Sequence, residues 1–115
     1  RMRKGNKLSD ISRIIQQIAE SNNLSVVRSF VGHGIGKEMH EAPQVPNFIS
    51  RELLANDINL KPGIVLAIEP MINIGTSKVK IAGNRWTAYT ADKKLSAHFE
   101  NTIAVTEGAP EILTE

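Results

Sequence analysis

Glycines and prolines interrupt the chain at short intervals between residues 32 and 75, and this punctuation limits the fold more than any other feature. Pro43 and Pro46 forbid a regular helix, because a proline lacks an amide donor and restricts the residue before it. A Pro-Gly turn at 62–63 precedes an apolar run that predicts a buried strand ending at Glu69. Several connections are too short for crossovers between parallel strands, so we expect mostly antiparallel pairing.

The remaining segments predict helices and strands that complete an α+β domain. Apolar residues in the segment 10–22 recur with the spacing of a helix that packs on one side. The other predicted elements are a strand over 24–31 leading to His33, a short helix over 50–56, a hairpin over 75–89 and a strand over 96–106. Alternation in that last strand places His98 and Glu100 on the same face.

Composition predicts one compact globular domain over residues 1–115, with 41% apolar and 23% charged residues. The 14 basic and 12 acidic residues leave a net charge of only +2. Nucleic-acid binding requires a concentrated basic stripe, commonly with aromatic residues, and only 4% of this chain is aromatic. We therefore expect no nucleic-acid partner.

Neither an apolar run long enough to span a membrane nor a signal-peptide pattern occurs in the sequence, so we expect a cytoplasmic protein without a membrane partner. The chain has no cysteine, which excludes a disulfide framework and any thiolate metal site. Any metal ion would have to be held by histidine, aspartate or glutamate.

Three potential metal ligands lie among apolar or small residues: His33, Glu69 and Glu100. Taken singly, each favours an ordinary structural role, as a solvated carboxylate beside a strand or a hydrogen-bonded histidine. Taken together, one imidazole and two carboxylates suit a divalent ion such as Mn²⁺, Fe²⁺, Co²⁺ or Zn²⁺. Gly32 and Gly34 would permit close backbone approach around His33.

A second histidine, His40, follows His33 by seven positions in the same glycine-rich loop. An imidazole that is not a ligand could donate a hydrogen bond to a carbonyl or an oxyanion. The spacing by itself does not distinguish this role from a structural one.

Three long segments, "GHGIGKEMHEAPQVPNF", "LKPGIVLAIEPMIN" and "WTAYTADKKLSAHFENTIAVTEGAPEILT", resemble the C-terminal half of type I methionine aminopeptidases in order and spacing. The resemblance covers residues 5–114, nearly the whole chain. It implies half of a pita-bread fold, that is, a curved antiparallel sheet with outer helices. In that fold two related halves enclose a site for two divalent ions, Co, Mn, Fe or Zn. It also implies the removal of N-terminal methionine from nascent proteins.

The same resemblance implies a role for each candidate residue. His33, Glu69 and Glu100 would be metal ligands, with Glu100 bridging both ions and Glu69 also serving as general base. His40 would contact the scissile carbonyl. The predicted residues of the methionine side-chain pocket and its rim are Phe30, Met39 and Trp86.

The family differs from this sequence in two respects. It commonly has His-Thr after the bridging glutamate, where this chain has Asn101-Thr102. Its two aspartate ligands belong to the N-terminal half, and no segment here matches them. We therefore expect the N-terminal half of the same enzyme as a partner, and little or no hydrolysis by these 115 residues alone.

Two other interpretations remain open from the sequence. One is half of an Xaa-Pro peptidase or prolidase, which shares the glycine-histidine loop and the "IEP" element. The other is a non-catalytic half-fold that serves as an interaction module. A solitary half would expose apolar surface, so we also expect a homodimer of the half.

Overall fold

The computed structural model describes residues 1–114, which form two helices and ten short strands; Glu115, the last residue of the predicted domain, lies outside the described residues. The helices are α1 (Leu8–Ser21) and α2 (Arg51–Ala55). The strands are β1 (Ser25–Val26), β2 (Gly32–Gly34), β3 (Glu41–Val45), β4 (Val65–Ile68), β5 (Met71–Asn73), β6 (Val79–Ile81), β7 (Ala88–Thr90), β8 (Ser96–His98), β9 (Asn101–Ala104) and β10 (Glu111–Ile112).

The strands form three sheets, and every strand pairing within residues 1–114 is antiparallel. The largest sheet has the order β10-β9-β4-β2-β3, a second has the order β1-β5-β8, and β6 pairs with β7. The predicted α+β class with antiparallel strands is therefore confirmed. No helix in the described range is both long enough and apolar enough to cross a bilayer.

Helix α1 begins earlier than the sequence predicted, at Leu8 rather than at residue 10. Asp10 stabilises this start, because its carboxylate accepts a hydrogen bond of 2.8 Å from the backbone N–H of Lys7. The helix ends at Ser21, and Asn23 then adopts a positive φ of 56°, a conformation that asparagine tolerates well. The apolar face of α1 packs inward through Leu8, Ile11 and Ala19, as its periodicity indicated, whereas Ile18 on the same face is 58% exposed.

The core lies between the two helices and the five-stranded sheet. Strands β3 and β4 contribute Val45 and Leu66, neither of which has exposed area. Strand β3 is an edge strand, a position that accommodates Pro43 within it. The buried cluster comprises Met2, Leu8, Ile11, Val45, Leu53, Leu60, Leu66 and Val105.

The short helix, the buried strand before Glu69 and the hairpin turning near 83–84 were predicted correctly, but two strand predictions were wrong. The segment 24–31 contains only the two-residue strand β1, and His33 lies in β2 of a different sheet. The predicted strand over 96–106 is divided into β8 and β9, which belong to different sheets. Alternation reports which faces residues occupy, whereas each strand's length depends on the partner it pairs with.

Candidate metal centre

Glu69 and Glu100 lie at the point where a two-stranded ladder passes from one sheet to another. Ile68 pairs with Asn101 in the first sheet, and Met71 pairs with His98 in the second. The same register runs through both pairings, so Glu69 stands opposite Glu100. The ladder is interrupted between these two pairings by a proline, residue 70, which has no amide hydrogen to donate. Both carboxylates are therefore positioned by backbone pairing on either side.

His33 lies at the centre of β2, paired on one side with Gln44 and on the other with Ala67. Its Nε2 is 3.4 Å from Oε1 of Glu69, and both side chains retain only 15% of their exposed area. Its Nδ1 is 2.9 Å from the carbonyl oxygen of Gly34. That contact favours the tautomer with the proton on Nδ1, which leaves the lone pair of Nε2 free to bind a metal ion.

The glycines beside His33 are required by close backbone contacts. A Cβ added at Gly32 would lie 2.2 Å from the carbonyl oxygen of Ala67, and one at Gly34 would lie 2.4 Å from that of Ala42. Any larger residue would push β2 away from its neighbours. The predicted close approach around His33 is therefore present, and its function is to bring His33 against β4.

The donor atoms of His33, Glu69 and Glu100 all lie within 4.8 Å of one another. Glu100 is exposed, whereas the other two side chains are largely buried. Carboxylates that face each other across a ladder repel, and a bound cation would offset that repulsion. One nitrogen and two carboxylates match the donor preferences of the ions named above, so these residues fit a divalent metal.

His40 is exposed and lies directly beside His33, with the two ring centroids 4.2 Å apart and the rings tilted by 47°. Both imidazoles line an open cavity of about 430 Å³. A group bound to the three donors would therefore be close to His40. The predicted contact of His40 with a substrate carbonyl stays a prediction.

The three residues predicted for the methionine pocket differ in their surroundings. Phe30 is half-buried and lines a small cavity of about 80 Å³ together with Met71 and Tyr89. Met39 and Trp86 are 73% and 89% exposed, and neither lines that cavity. Their role in substrate binding stays a prediction.

Sequence reasoning missed one residue of the site, His98. Its Nε2 is 3.5 Å from Oε2 of Glu69, and its side chain is 43% exposed. The signal was available, because the alternation that placed His98 and Glu100 on one face also placed His98 beside the site. What the alternation lacked was the register that sets His98 opposite Met71.

Comparison with known proteins identifies similar chains. A model of metallopeptidase family M24 matches residues 1–107. Methionine aminopeptidase of Clostridium perfringens is 56% identical over 109 residues, which cover 95% of this chain and 43% of that protein. Methionine aminopeptidase 1 of Bacillus subtilis is 49% identical over 110 residues, covering 96% and 43% respectively.

Solved structures give the same result. The crystal structure of methionine aminopeptidase from Thermotoga maritima has a TM-score of 0.91 at 43% identity, covering 98% of this chain and 44% of that one. The corresponding structure from Rickettsia prowazekii has a TM-score of 0.87 at 43% identity, covering 96% and 44%. The chain thus spans less than half the length of the relatives and structures that it matches.

Proposed function

Because this chain belongs to metallopeptidase family M24 and corresponds to part of a type I methionine aminopeptidase, we propose that it forms the C-terminal half of such an enzyme. Its fold is part of the pita-bread fold, as the sequence resemblance implied. The complete enzyme would remove N-terminal methionine from nascent proteins. Because nascent chains emerge in the cytoplasm, we propose that the enzyme acts there. The observation that supports this most strongly is the convergence of three metal-type donors within 4.8 Å.

In the proposed site, His33, Glu69 and Glu100 hold the divalent ions, Co, Mn, Fe or Zn. Two ions would be bound in the complete site. When bound, such ions lower the pKa of water and polarise a carbonyl. Glu69 takes a proton from the attacking water as the water oxygen bonds to the scissile carbonyl carbon. The proton passes to the leaving amine when the C–N bond breaks.

His40 is the group that we propose for stabilising the carbonyl oxygen as negative charge develops on it. Its ring is exposed to the cavity and adjacent to His33, so it can donate a hydrogen bond there without binding the metal. Phe30, Met39 and Trp86 are proposed to contact the methionine side chain. The exposed positions of the last two leave them accessible to a partner or a substrate.

The N-terminal half of the same enzyme is the proposed protein partner. It would supply the aspartate ligands that the family resemblance implies, and it would cover apolar side chains near the site. Leu95 and Phe99, for example, are 75% and 69% exposed. Because those aspartate ligands belong to the other half, we propose that these 115 residues alone bind metal weakly and hydrolyse little or no peptide.

Release of methionine from a Met-Ala-Ser peptide with added Mn²⁺ or Co²⁺ tests the proposal in the native full-length protein. Glu69→Gln should abolish release, because the amide can neither accept the proton nor bind the ion as a carboxylate does. Glu111→Gln, an exposed glutamate on β10, is the matched control and should leave activity unchanged. Unchanged turnover in Glu69→Gln would refute the proposed role.

Two outcomes would favour the other interpretations. Preference for a Gly-Pro substrate over Met-Ala-Ser would indicate an Xaa-Pro peptidase. No hydrolysis and no metal binding by the full-length protein would indicate a non-catalytic interaction module.

A further inference from the structure

The carboxylate of Glu69 lies between two imidazoles, one beside each oxygen. Oε1 is 3.4 Å from Nε2 of His33, and Oε2 is 3.5 Å from Nε2 of His98. Both distances are within ion-pair range but exceed the roughly 2.7–3.2 Å of an ordinary N–H···O hydrogen bond. The first contact belongs to the proposed metal site, whereas the second has no role in it so far.

The position of His98 is set by the backbone on both sides of the interruption in the ladder. His98 pairs with Met71, and the N–H of Phe99 donates a 3.2 Å hydrogen bond to the carbonyl of Pro70. His98 is consequently a diagonal cross-strand neighbour of Glu69, at a separation that a long side chain can span. The contact between the two side chains follows from register and does not depend on a flexible loop.

We propose that His98 is a positioning residue for Glu69, donating from Nε2 to Oε2 and thereby directing Oε1 toward the ion that His33 also binds. A carboxylate that binds metal through one oxygen still rotates, and a hydrogen bond to its other oxygen restricts that rotation. This inference rests on the proposed function, because it assigns His98 a task within the same site.

The geometry favours positioning over direct ligation. The donor atoms that lie within 4.8 Å of one another belong to His33, Glu69 and Glu100, and His98 is not a member of that group. His98 contacts the carboxylate on the side away from His33, as the two oxygens show. An imidazole in that position contacts the carboxylate that binds the ion but is not placed to bind the ion itself.

Metal affinity is the readout that tests the proposal, measured by Mn²⁺ titration with electron paramagnetic resonance on the native full-length protein. His98→Ala and His98→Leu both remove the donor, and we expect Mn²⁺ affinity to fall by about tenfold or more. His98→Gln retains an N–H donor and should preserve most of the affinity. Lys80 is an exposed residue on β6, so Lys80→Ala is the matched control and should bind Mn²⁺ as the wild type does.

Activity provides a second readout. In His98→Ala, release of methionine should require a higher Mn²⁺ concentration and should recover substantially when the ion is saturating. An effect on folding alone would lower the melting temperature without changing the Mn²⁺ requirement of the folded fraction.

Three results would overturn the inference. Wild-type affinity in both His98→Ala and His98→Leu would show that the contact has no function, while leaving the proposed function intact if Glu69→Gln still abolishes binding. Electron spin echo modulation from two directly bound imidazoles in the wild type, with one lost in His98→Ala, would make His98 a ligand. Absence of Mn²⁺ binding by the wild type would refute the proposed function and this inference together.

Discussion

Replacing Gly32 with alanine tests whether the close approach of β2 to β4 holds the site together. The added Cβ would lie 2.2 Å from the carbonyl oxygen of Ala67 and 3.2 Å from Cβ of Val45. Ordinary contacts of this kind begin near 3.4 Å, so the carbonyl would have to retreat by about 1.2 Å. Ala67 is fully buried in the central strand of the sheet, which leaves it little room to move.

The cost can be estimated from two terms. Overpacking a tight interior costs about 1–3 kcal/mol, and weakening one ladder hydrogen bond adds about 1 kcal/mol. We therefore expect Gly32→Ala to lower the free energy of unfolding by about 2–4 kcal/mol. At roughly 2–4 °C per kcal/mol for a protein of the length of the full relatives, the melting temperature of the native full-length protein should fall by roughly 4–16 °C. Since His33 is the next residue, Mn²⁺ affinity should fall as well.

Thermal unfolding of the native full-length protein, followed by circular dichroism with and without Mn²⁺, measures both effects. Gly83→Ala is the matched control, because a Cβ at Gly83 meets no atom within 4 Å. That control should stay within about 0.5 kcal/mol of the wild type. If Gly32→Ala melts together with the control and binds Mn²⁺ normally, the close contact does not constrain the site and the reasoning is wrong.

Two further predictions concern the hairpin arm, residues 71–98, and the segment that follows it. The carboxylate of Asp92 accepts hydrogen bonds from the backbone N–H groups of Thr76 and Lys94, which lower the pKa of Asp92 below its ordinary value. A lowered pKa in the folded state stabilises above the unfolded pKa, and this contribution is lost as the pH falls through the folded value. Asp92→Asn should therefore lower the melting temperature at neutral pH, and its difference from wild type should shrink in acid; a constant difference would contradict this. Separately, the 115-residue chain expressed alone should sediment as a dimer, because Leu95 and Phe99 expose large apolar side chains, and Phe99→Ser should shift it toward monomer. A wild-type monomer at high concentration would count against self-association.

Strand β4 illustrates what the sequence could predict. Its apolar run is short, is preceded by a Pro-Gly turn and ends at a glutamate and a proline. Neighbouring residues therefore indicate both that the segment is a strand and where the strand ends. The division of the last predicted strand into β8 and β9 is different in kind. It occurs opposite Pro70, a residue almost thirty positions earlier, and local alternation carries no information about a partner.

The site shows the same division between local and non-local information. His33 and its flanking glycines could be recognised together, because the glycines that permit close backbone approach are its neighbours in sequence. The convergence of Glu69 and Glu100 was inferred from residue type and family resemblance, and the structure brings them together. Met39 and Trp86 lie in connecting segments with their side chains mostly exposed, so packing within residues 1–114 constrains their positions little.

Because the register continues on both sides of Glu69 and Glu100, the tip of the hairpin arm from Met71 to His98 can vary while the base that carries His98 keeps its position. Its base is aligned twice, by Ile68 with Asn101 and by Met71 with His98. Residues inserted or removed at its tip, near Gly83, would change the reach of the arm without displacing the carboxylates. Exchanging the tip with that of a relative would then alter what the protein contacts at its rim while its metal chemistry stays constant.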